Sequence, residues 1–270
     1  MNGVGPTQEL SLRVSVATLV RVLFQNPGGD ELMLALERKA TLDTDETGGV
    51  IEINSQPFGG AIRIRDQRKM QEQVGDFHFD SEQSRSEQDF RIFIRPSAWG
   101  IVRKFCLEQF SRLDDLILET DPKRELAEEF SDALMISLKP DQYIRKPIAI
   151  AVEDDPAPTD NIHVKGYPTA RVYRIFEATI ADSPLATSMM RNSESFSDQE
   201  LGELALQDVQ KGGKGRANAV LALPVKLIRD VYLTLTLNER NRPLIFEEHR
   251  LQETVALVLD DVSVPKYQRL

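Results

Sequence analysis

The chain has a single cysteine, Cys106, in 270 residues, and only three histidines, His78, His163 and His249. An internal disulfide is therefore excluded, and neither a cysteine-rich nor a histidine-based zinc site can be assembled, so a bound metal would have to be held mainly by oxygen. Long hydrophobic runs are missing as well. The most apolar stretches, 219–223 and 255–259, fall far short of the about 18 residues that span a bilayer, and no membrane partner is expected. Residues 1–10 carry neither the basic start nor the apolar run of a secretory signal, which makes the cytoplasm the expected compartment. Positive charge is scarce: 33 Lys and Arg stand against 43 Asp and Glu, a formal charge of −10. Such a field repels nucleic acid and anionic lipid, and no basic recognition helix argues otherwise. A polyanionic ligand would need a local basic patch or a bound cation.

What the chain does have is ordinary globular material. Its 41% hydrophobic and 28% charged residues exclude a disordered chain, a collagen-like fibre and a coiled-coil rod. Residues 9–25 are dense in β-branched and aliphatic side chains, Asn26-Pro27-Gly28-Gly29 supplies turn chemistry, and a second apolar run follows at 31–37, so a hairpin is expected. Further strands are expected at 50–53, 60–64, 90–95, 144–152 and 170–180. Residues 66–89 are polar and are read as a loop or a solvated helix. Trp99, Val102, Phe105, Cys106, Phe110 and Leu113 recur at helical spacing over 98–118 and read as core positions; Cys106 among them is read as a packed thiol. A Ser-capped helix is expected at 197–209, a helix at 217–235 and another at 243–259. No linker divides the chain, and residues 1–270 are read as one domain.

The segment after Asp121 and Pro122 is expected to be helical, with Asp121 as N-cap and Pro122 at the first position. At about 100° per residue, Glu125, Glu128, Glu129 and Asp132 fall on one stripe, opposite Leu126, Phe130, Ala133 and Leu134. A solvated amphipathic helix is the plain explanation. Like charges at these spacings nevertheless repel, and Arg124 alone offsets them. A hard divalent cation would remove the repulsion, because Mg²⁺ or Mn²⁺ takes carboxylate oxygens.

Arg124-Glu125-Leu126-Ala127-Glu128-Glu129 resembles the R-E-U-x-E-E core of the Nudix box, U being aliphatic. In that family the full pattern is G, five residues, E, seven residues, then R-E-U-x-E-E-x-G-U. Gly60 followed by five residues reaches Asp66, an acidic stand-in for the first glutamate. Between Asp66 and Arg124 lie 57 residues where the family has seven, an insertion of 50. Ser131 and Asp132 stand where the family has its last glycine and aliphatic residue. The resemblance covers roughly residues 10–236 and implies an α+β fold, a Nudix-like αβα sandwich with a mixed sheet. Residues 67–123 then form a long insertion inside the box, and C-terminal helices form an extension over 237–270.

By that resemblance Glu125 and Glu129 would be metal ligands, Glu128 a catalytic ligand or water-holding carboxylate, Gly60 a backbone-carbonyl ligand, and Arg124 an ion-pairing residue that orients the glutamates. Mg²⁺ or Mn²⁺ is the implied cofactor, and the implied partner is a nucleotide-type small molecule carrying a diphosphate. The one dense basic segment, Lys211-Gly212-Gly213-Lys214-Gly215-Arg216, offers Lys211, Lys214 and Arg216 for phosphate contact just before an expected helix N-terminus. It is not a P-loop, since no Gly-Lys-Ser/Thr is present. Glu153, Asp154 and Asp155 follow a strand and are a minor candidate for a catalytic base. Three functions stay open. They are a metal-dependent hydrolase of a nucleoside diphosphate linked to another group, a catalytically silent ligand-binding or regulatory protein of the same fold, and an interaction module docking a basic partner on the acidic stripe. The insertion is assigned to a lid or an oligomer contact, a homodimer being the assembly allowed for.

Overall fold

β-Branched and aliphatic residues at nearly every position let β1 (Leu12–Gln25) run 14 residues as a strand buried on both faces. The Asn26 side chain accepts the Gly28 N–H and its carbonyl the Gly29 N–H, closing the turn into β2 (Leu32–Asp43). The computed structural model describes residues 11–43, 50–112, 116–158 and 164–270. Among these follow β3 (Val50–Gln56), β4 (Arg63–Ile64), α1 (Gln67–Val74), β5 (His78–Phe79), α2 (Glu82–Glu87) and β6 (Arg91–Ile94). Next come α3 (Trp99–Phe110), β7 (Leu118–Glu119), α4 (Lys123–Leu134), β8 (Tyr143–Val152), β9 (Ala157–Pro158) and β10 (Pro168–Ile180). The chain ends with α5 (Ser183–Ser195), α6 (Asp198–Gln210), β11 (Arg216–Pro224), α7 (Val225–Thr234), β12 (Leu244–Phe246), β13 (His249–Leu251), α8 (Thr254–Leu257) and β14 (Gln268–Arg269). No helix among the described residues is long and apolar enough to cross a membrane.

The principal sheet is mixed, in the order β12-β13-β3-β2-β1-β10-β8-β14, with β11 and β6 branching from β2 and β1. β1 and β10 run parallel over twelve pairs, Arg13↔Thr169 to Phe24↔Ile180. One face packs α3 against Val14, Val16 and Val172, and α4 and α5 against Val20, Val22, Phe24 and Phe176. The other face, with Leu19, Leu23, Leu34 and Leu36, is covered by α7 and residues 251–267. Helices thus lie on both sides of the sheet, an α+β arrangement.

The feature that makes a site is a split in this sheet. β2 pairs with β1 only over Leu32–Ala35 and then with β3 from Glu37 onward. The edge of β1 vacated by β2 is taken by the chain leaving β3: the Val20 N–H donates to the Phe58 carbonyl, the Thr18 N–H to the Gly60 carbonyl, and the Ile62 N–H to the Val16 carbonyl.

The segment 67–123, expected as an insertion, begins and ends beside this split. β4 pairs with β7 through Arg63↔Glu119 and Ile64↔Leu118, so its ends are clipped together. Its middle returns to the sheet, with β6 on β1 and Val102, Phe105, Cys106 and Phe110 in the same cluster as Val14 and Val172. Trp99 is partly buried there, and Leu113 lies outside the described residues. Cys106 is fully buried, and burial pushes its thiol well up, in keeping with an unreactive packed side chain.

Four expectations need correction. Residues 66–89 fold as α1, β5 and α2, because Asp66 and Ser81 cap the two helices and Met70 and Val74 reach the core. Asp121 is not the N-cap of α4: the helix starts one residue later with Pro122 in that position, while the Asp121 carboxylate still accepts the Lys123 N–H. Residues 217–224 are strand, paired antiparallel with β2. With helices on both faces, Ala219 to Leu223 show no two-residue alternation and mimic a helix by composition. The expected C-terminal helix at 243–259 is a hairpin, β12–β13, turned by Glu247 at positive φ and followed by the single turn α8.

Candidate functional site

α4 crosses the split with its apolar stripe down: Leu126, Phe130 and Ala133 are buried, and Phe130 stacks on Phe58 with ring centroids 5.0 Å apart. That contact sets the helix register. It turns Glu125 and Glu129 inward onto the Gly59-Gly60 segment rather than out to water. Glu129 Oε2 accepts the Gly59 N–H at 2.6 Å. The Glu125 carboxylate fills the space where a Cβ of residue 60 would stand, since an ideal Cβ there would lie 2.2 Å from Glu125 Oε2. Only glycine admits that approach. Gly59 is required for another reason, having φ +131° and a would-be Cβ 2.2 Å from the Thr18 carbonyl oxygen.

Gly60, Glu125 and Glu129 are therefore brought together. The Gly60 carbonyl accepts the Thr18 N–H at 2.9 Å within the β1 edge, and the residue's contribution is the missing side chain. Asp66 is not at this site; it caps α1 by accepting the Lys69 N–H. Glu128 is 54% exposed, and Arg124 holds it at 3.0 Å while also pairing with Glu125 and, at 3.0 Å, with Glu119. Arg124 thus ties three carboxylates together, and Glu119 links that group to β7, which pairs with β4. Burial pushes the Glu119 carboxyl up, but hydrogen bonds from Arg124 and Arg65 outweigh it and hold the group below its ordinary range.

A residue that sequence reasoning missed completes the cluster. Glu37 on β2 is 1% exposed, on the α4 side of the sheet together with Met33 and Ala35. Gln56 donates to its Oε2 at 3.0 Å, and among the described residues its Oε1 has no hydrogen-bond partner, with Lys39 Nζ 3.8 Å away. A charged residue in a run otherwise buried on both faces was the only sequence signal.

The electrostatics follow from this crowding. Glu129 is held well above the usual carboxylate range, first by burial and then by the negative charges of Glu37 and Glu125, against the opposing Gly59 N–H and Lys39. Glu125 is also raised, by burial first and by Glu128, with Arg124 opposing. The native state therefore keeps protons here that the unfolded chain releases above about pH 4.5, the ordinary glutamate value. This stability is complete below that pH and is lost as pH rises through the raised native values. In EDTA, melting temperature should fall as pH rises above about 4.5, the ordinary glutamate value, and less for Glu129→Gln, which has nothing to ionise there. Parallel pH profiles for wild type and variant would contradict the assignment.

Beside the α4 C-terminal half lies a cavity of about 370 Å³ lined by Lys39, Asp132, Asp208, Lys214 and Arg216, among others. Two of the three basic residues expected to meet phosphate, Lys214 and Arg216, thus face the acidic helix. They are held by Asp208, whose carboxylate accepts the Gly215 and Arg216 N–H groups. Lys211 closes the end of α6 and is not among the lining residues. Because β11 follows this loop, no helix N-terminus receives an anion there.

Other candidates lie elsewhere. Glu153 is buried in pairs with Arg171 and Lys266, and Asp154 pairs with Arg103, so this segment supplies no base to α4. His78 is exposed on β5 and His249 lies 4.0 Å from Asp198; His163 falls outside the described residues. No protein-family model, curated protein or solved structure matches the chain.

Proposed function

We propose that this protein is a divalent-cation-dependent hydrolase of a nucleoside diphosphate linked to another group, on a variant of the Nudix sandwich. The observation that carries the reading is the meeting of Glu125 and Glu129 with Gly60 and Gly59, across an insertion that separates the two halves of the motif in sequence. Chance resemblance of a hexapeptide gives no reason for that contact.

The donor set suits a hard cation. Glu37 Oε1 is buried without a hydrogen-bond partner, and burial raises both Glu125 and Glu129. Oxygen-only carboxylate sites are what Mg²⁺ and Mn²⁺ prefer. Among the described residues no three His, Cys, Asp or Glu side chains are already gathered at coordinating distance; Glu125 is engaged by Arg124 instead. Glu125, Glu129 and Glu37 would hold the ion, with Glu125 giving up part of its pairing to Arg124. When bound, the cation neutralises diphosphate charge and lowers the pKa of the attacking water. Glu128, exposed and paired with Arg124, would hold that water. Lys39, Lys214 and Arg216 would receive the phosphates in the neighbouring cavity.

A silent binder of the same ligand is the second reading, favoured by Arg124, which already neutralises Glu125 and Glu128. The docking-module reading loses ground because Glu125 and Glu129 face inward, leaving only Glu128 and Asp132 of the stripe exposed.

A hydrolysis screen of ADP-ribose, dinucleotides, nucleoside triphosphates and nucleotide sugars, with and without Mg²⁺ or Mn²⁺, separates the readings. Metal-dependent cleavage of any of these is the expected result. For the substrate so found, Lys214→Gln/Arg216→Gln should raise KM about tenfold, or about 1.4 kcal/mol, with kcat little changed. Binding without turnover would establish the silent reading, and neither binding nor turnover would remove both.

A further inference from the structure

Arg124 commits its whole guanidinium to carboxylates. Its Nε donates to Glu119 Oε2 and its Nη1 to Glu128 Oε2, each at 3.0 Å, while its Nη2 pairs with Glu125 Oε1. Three nitrogens thus meet three different acids, one on β7 and two on α4. Arg124, Glu119 and Glu125 are each exposed over a fifth of the side chain or less, and only Glu128 is open to water. Holding so long a side chain in one geometry costs rotamer freedom. A planar fork is what lets one cation reach three acceptors at once.

Glu125 is where this arrangement meets the acidic site. Its Oε1 faces Arg124, and its Oε2 lies against Gly60. A cation taken by the same carboxylate at about 2.1 Å would stand within a few ångströms of the guanidinium, and two positive charges that close in a half-buried space repel. Arg124 therefore cannot keep its grip on Glu125 unchanged while that carboxylate serves a cation. An alternative place for it is already built. Glu119 accepts the Arg124 Nε–H and is fixed from another side by Arg65 at 3.2 Å, on a strand paired with β4.

We propose that Arg124 is a built-in counter-ion that competes with the divalent cation for Glu125, and that Glu119 is the positioning residue that draws it aside. The inference rests on the cation reading of the α4 site and concerns its regulation: without a cation the site is closed by its own guanidinium, and it opens by exchange. The expected sign is opposite to that of a purely orienting role. An arginine that only aligns the glutamates weakens cation binding when it is removed. One that occupies the carboxylate strengthens cation binding when it is removed.

Binding of Mg²⁺ or Mn²⁺ alone, without nucleotide, is measured on the full chain by calorimetry and thermal shift. Arg124→Gln is expected to bind either ion about tenfold more tightly than wild type, and Glu119→Gln about fivefold more weakly, because without Glu119 the guanidinium stays on Glu125. Loss of the Glu119 charge would by itself also weaken a cation, so the double variant decides. Arg124→Gln/Glu119→Gln should bind as Arg124→Gln does, the Glu119 effect vanishing with the residue through which it acts. Arg65→Gln, which removes a positive charge from the same carboxylate without touching Glu125, should bind within about twofold of wild type. If Arg124→Gln does not fold, Arg124→Lys, which keeps the charge and loses the fork, serves in its place with a severalfold gain. The proposal is overturned if the Arg124 variant binds the ions as wild type does or more weakly, if the Glu119→Gln loss persists undiminished in the double variant, or if Arg65→Gln tightens binding as much as Arg124→Gln. Should neither wild type nor the Arg124 variant bind either ion, the cation reading itself fails and this inference with it.

Discussion

Replacing Glu129 with glutamine is expected to cut metal-dependent hydrolysis by about 100-fold or more, about 2.7 kcal/mol of barrier, and to remove most of the stabilisation by Mg²⁺. Wild type at about 100 times the Kd of the ion should gain about 2.7 kcal/mol, or about 5 to 10 °C in Tm for a chain of this size. The position of Glu129 is the reason. Its carboxylate faces Gly59, with Glu37 and Glu125 as like-charged neighbours, so burial and like charge favour its protonated form in the metal-free protein. Glutamine keeps an acceptor for the Gly59 N–H and carries no charge, so the variant's Tm in EDTA should equal or exceed that of wild type. Thermal melts of both proteins with EDTA and with Mg²⁺ or Mn²⁺, alongside rates on the substrate found by screening, make the comparison. Equal metal-induced shifts would mean that Glu129 is no ligand, and the hydrolase reading would fall with it.

Gly59→Ala and Gly60→Ala should behave very differently although the residues are adjacent. At Gly59 the new Cβ would meet backbone, the Thr18 carbonyl oxygen at 2.2 Å and its carbon at 2.9 Å, from a φ of +131°. Neither atom can move without detaching 58–62 from the β1 edge. Backbone strain of about 1–3 kcal/mol, with the clash added, predicts a loss of about 3 kcal/mol and a Tm lower by about 6 to 12 °C. At Gly60 the new Cβ meets only the end of a side chain, Glu125 Oε2 at 2.2 Å and Cδ at 2.6 Å. Glu125 can swing aside, so Tm should change by only about 2 to 4 °C, for a loss near 1 kcal/mol, while the metal response and hydrolysis are lost. Differential scanning calorimetry of both variants, with and without Mg²⁺, tests this. A Gly60→Ala protein that keeps full metal response would show that Glu125 has no part in binding.

Much of the architecture could be read from local chemistry. The β1–β2 hairpin follows from two apolar runs around Asn26–Gly29, and α6 from a capping box in which Ser197 and Glu200 bond each other's backbone. The stripe of α4 was legible too, since Leu126, Phe130 and Ala133 could only face inward. The strands that were misread share one difficulty. β11 and the β12–β13 hairpin have compositions that suit either state, and their strand partners, β2 for β11 and β3 for β13, lie far away in sequence.

The acidic site divides along the same line. Periodicity placed Glu125, Glu128 and Glu129 on one face of a helix, because helical geometry is local and repeats every few residues. It did not reveal that two of the three turn inward, that Glu37 waits beside them, or that the missing side chain of Gly60 leaves room for the Glu125 carboxylate. Those facts depend on β2 leaving β1 after Ala35, on residues 58–62 filling the gap, and on β4 pairing with β7, which brings the ends of 65–117 together. Each joins segments distant in the chain. The sequence determined which residues carry charge and which helix bears them; only tertiary packing decided which of those charges lose their water, because desolvation is set by neighbours that no local pattern names.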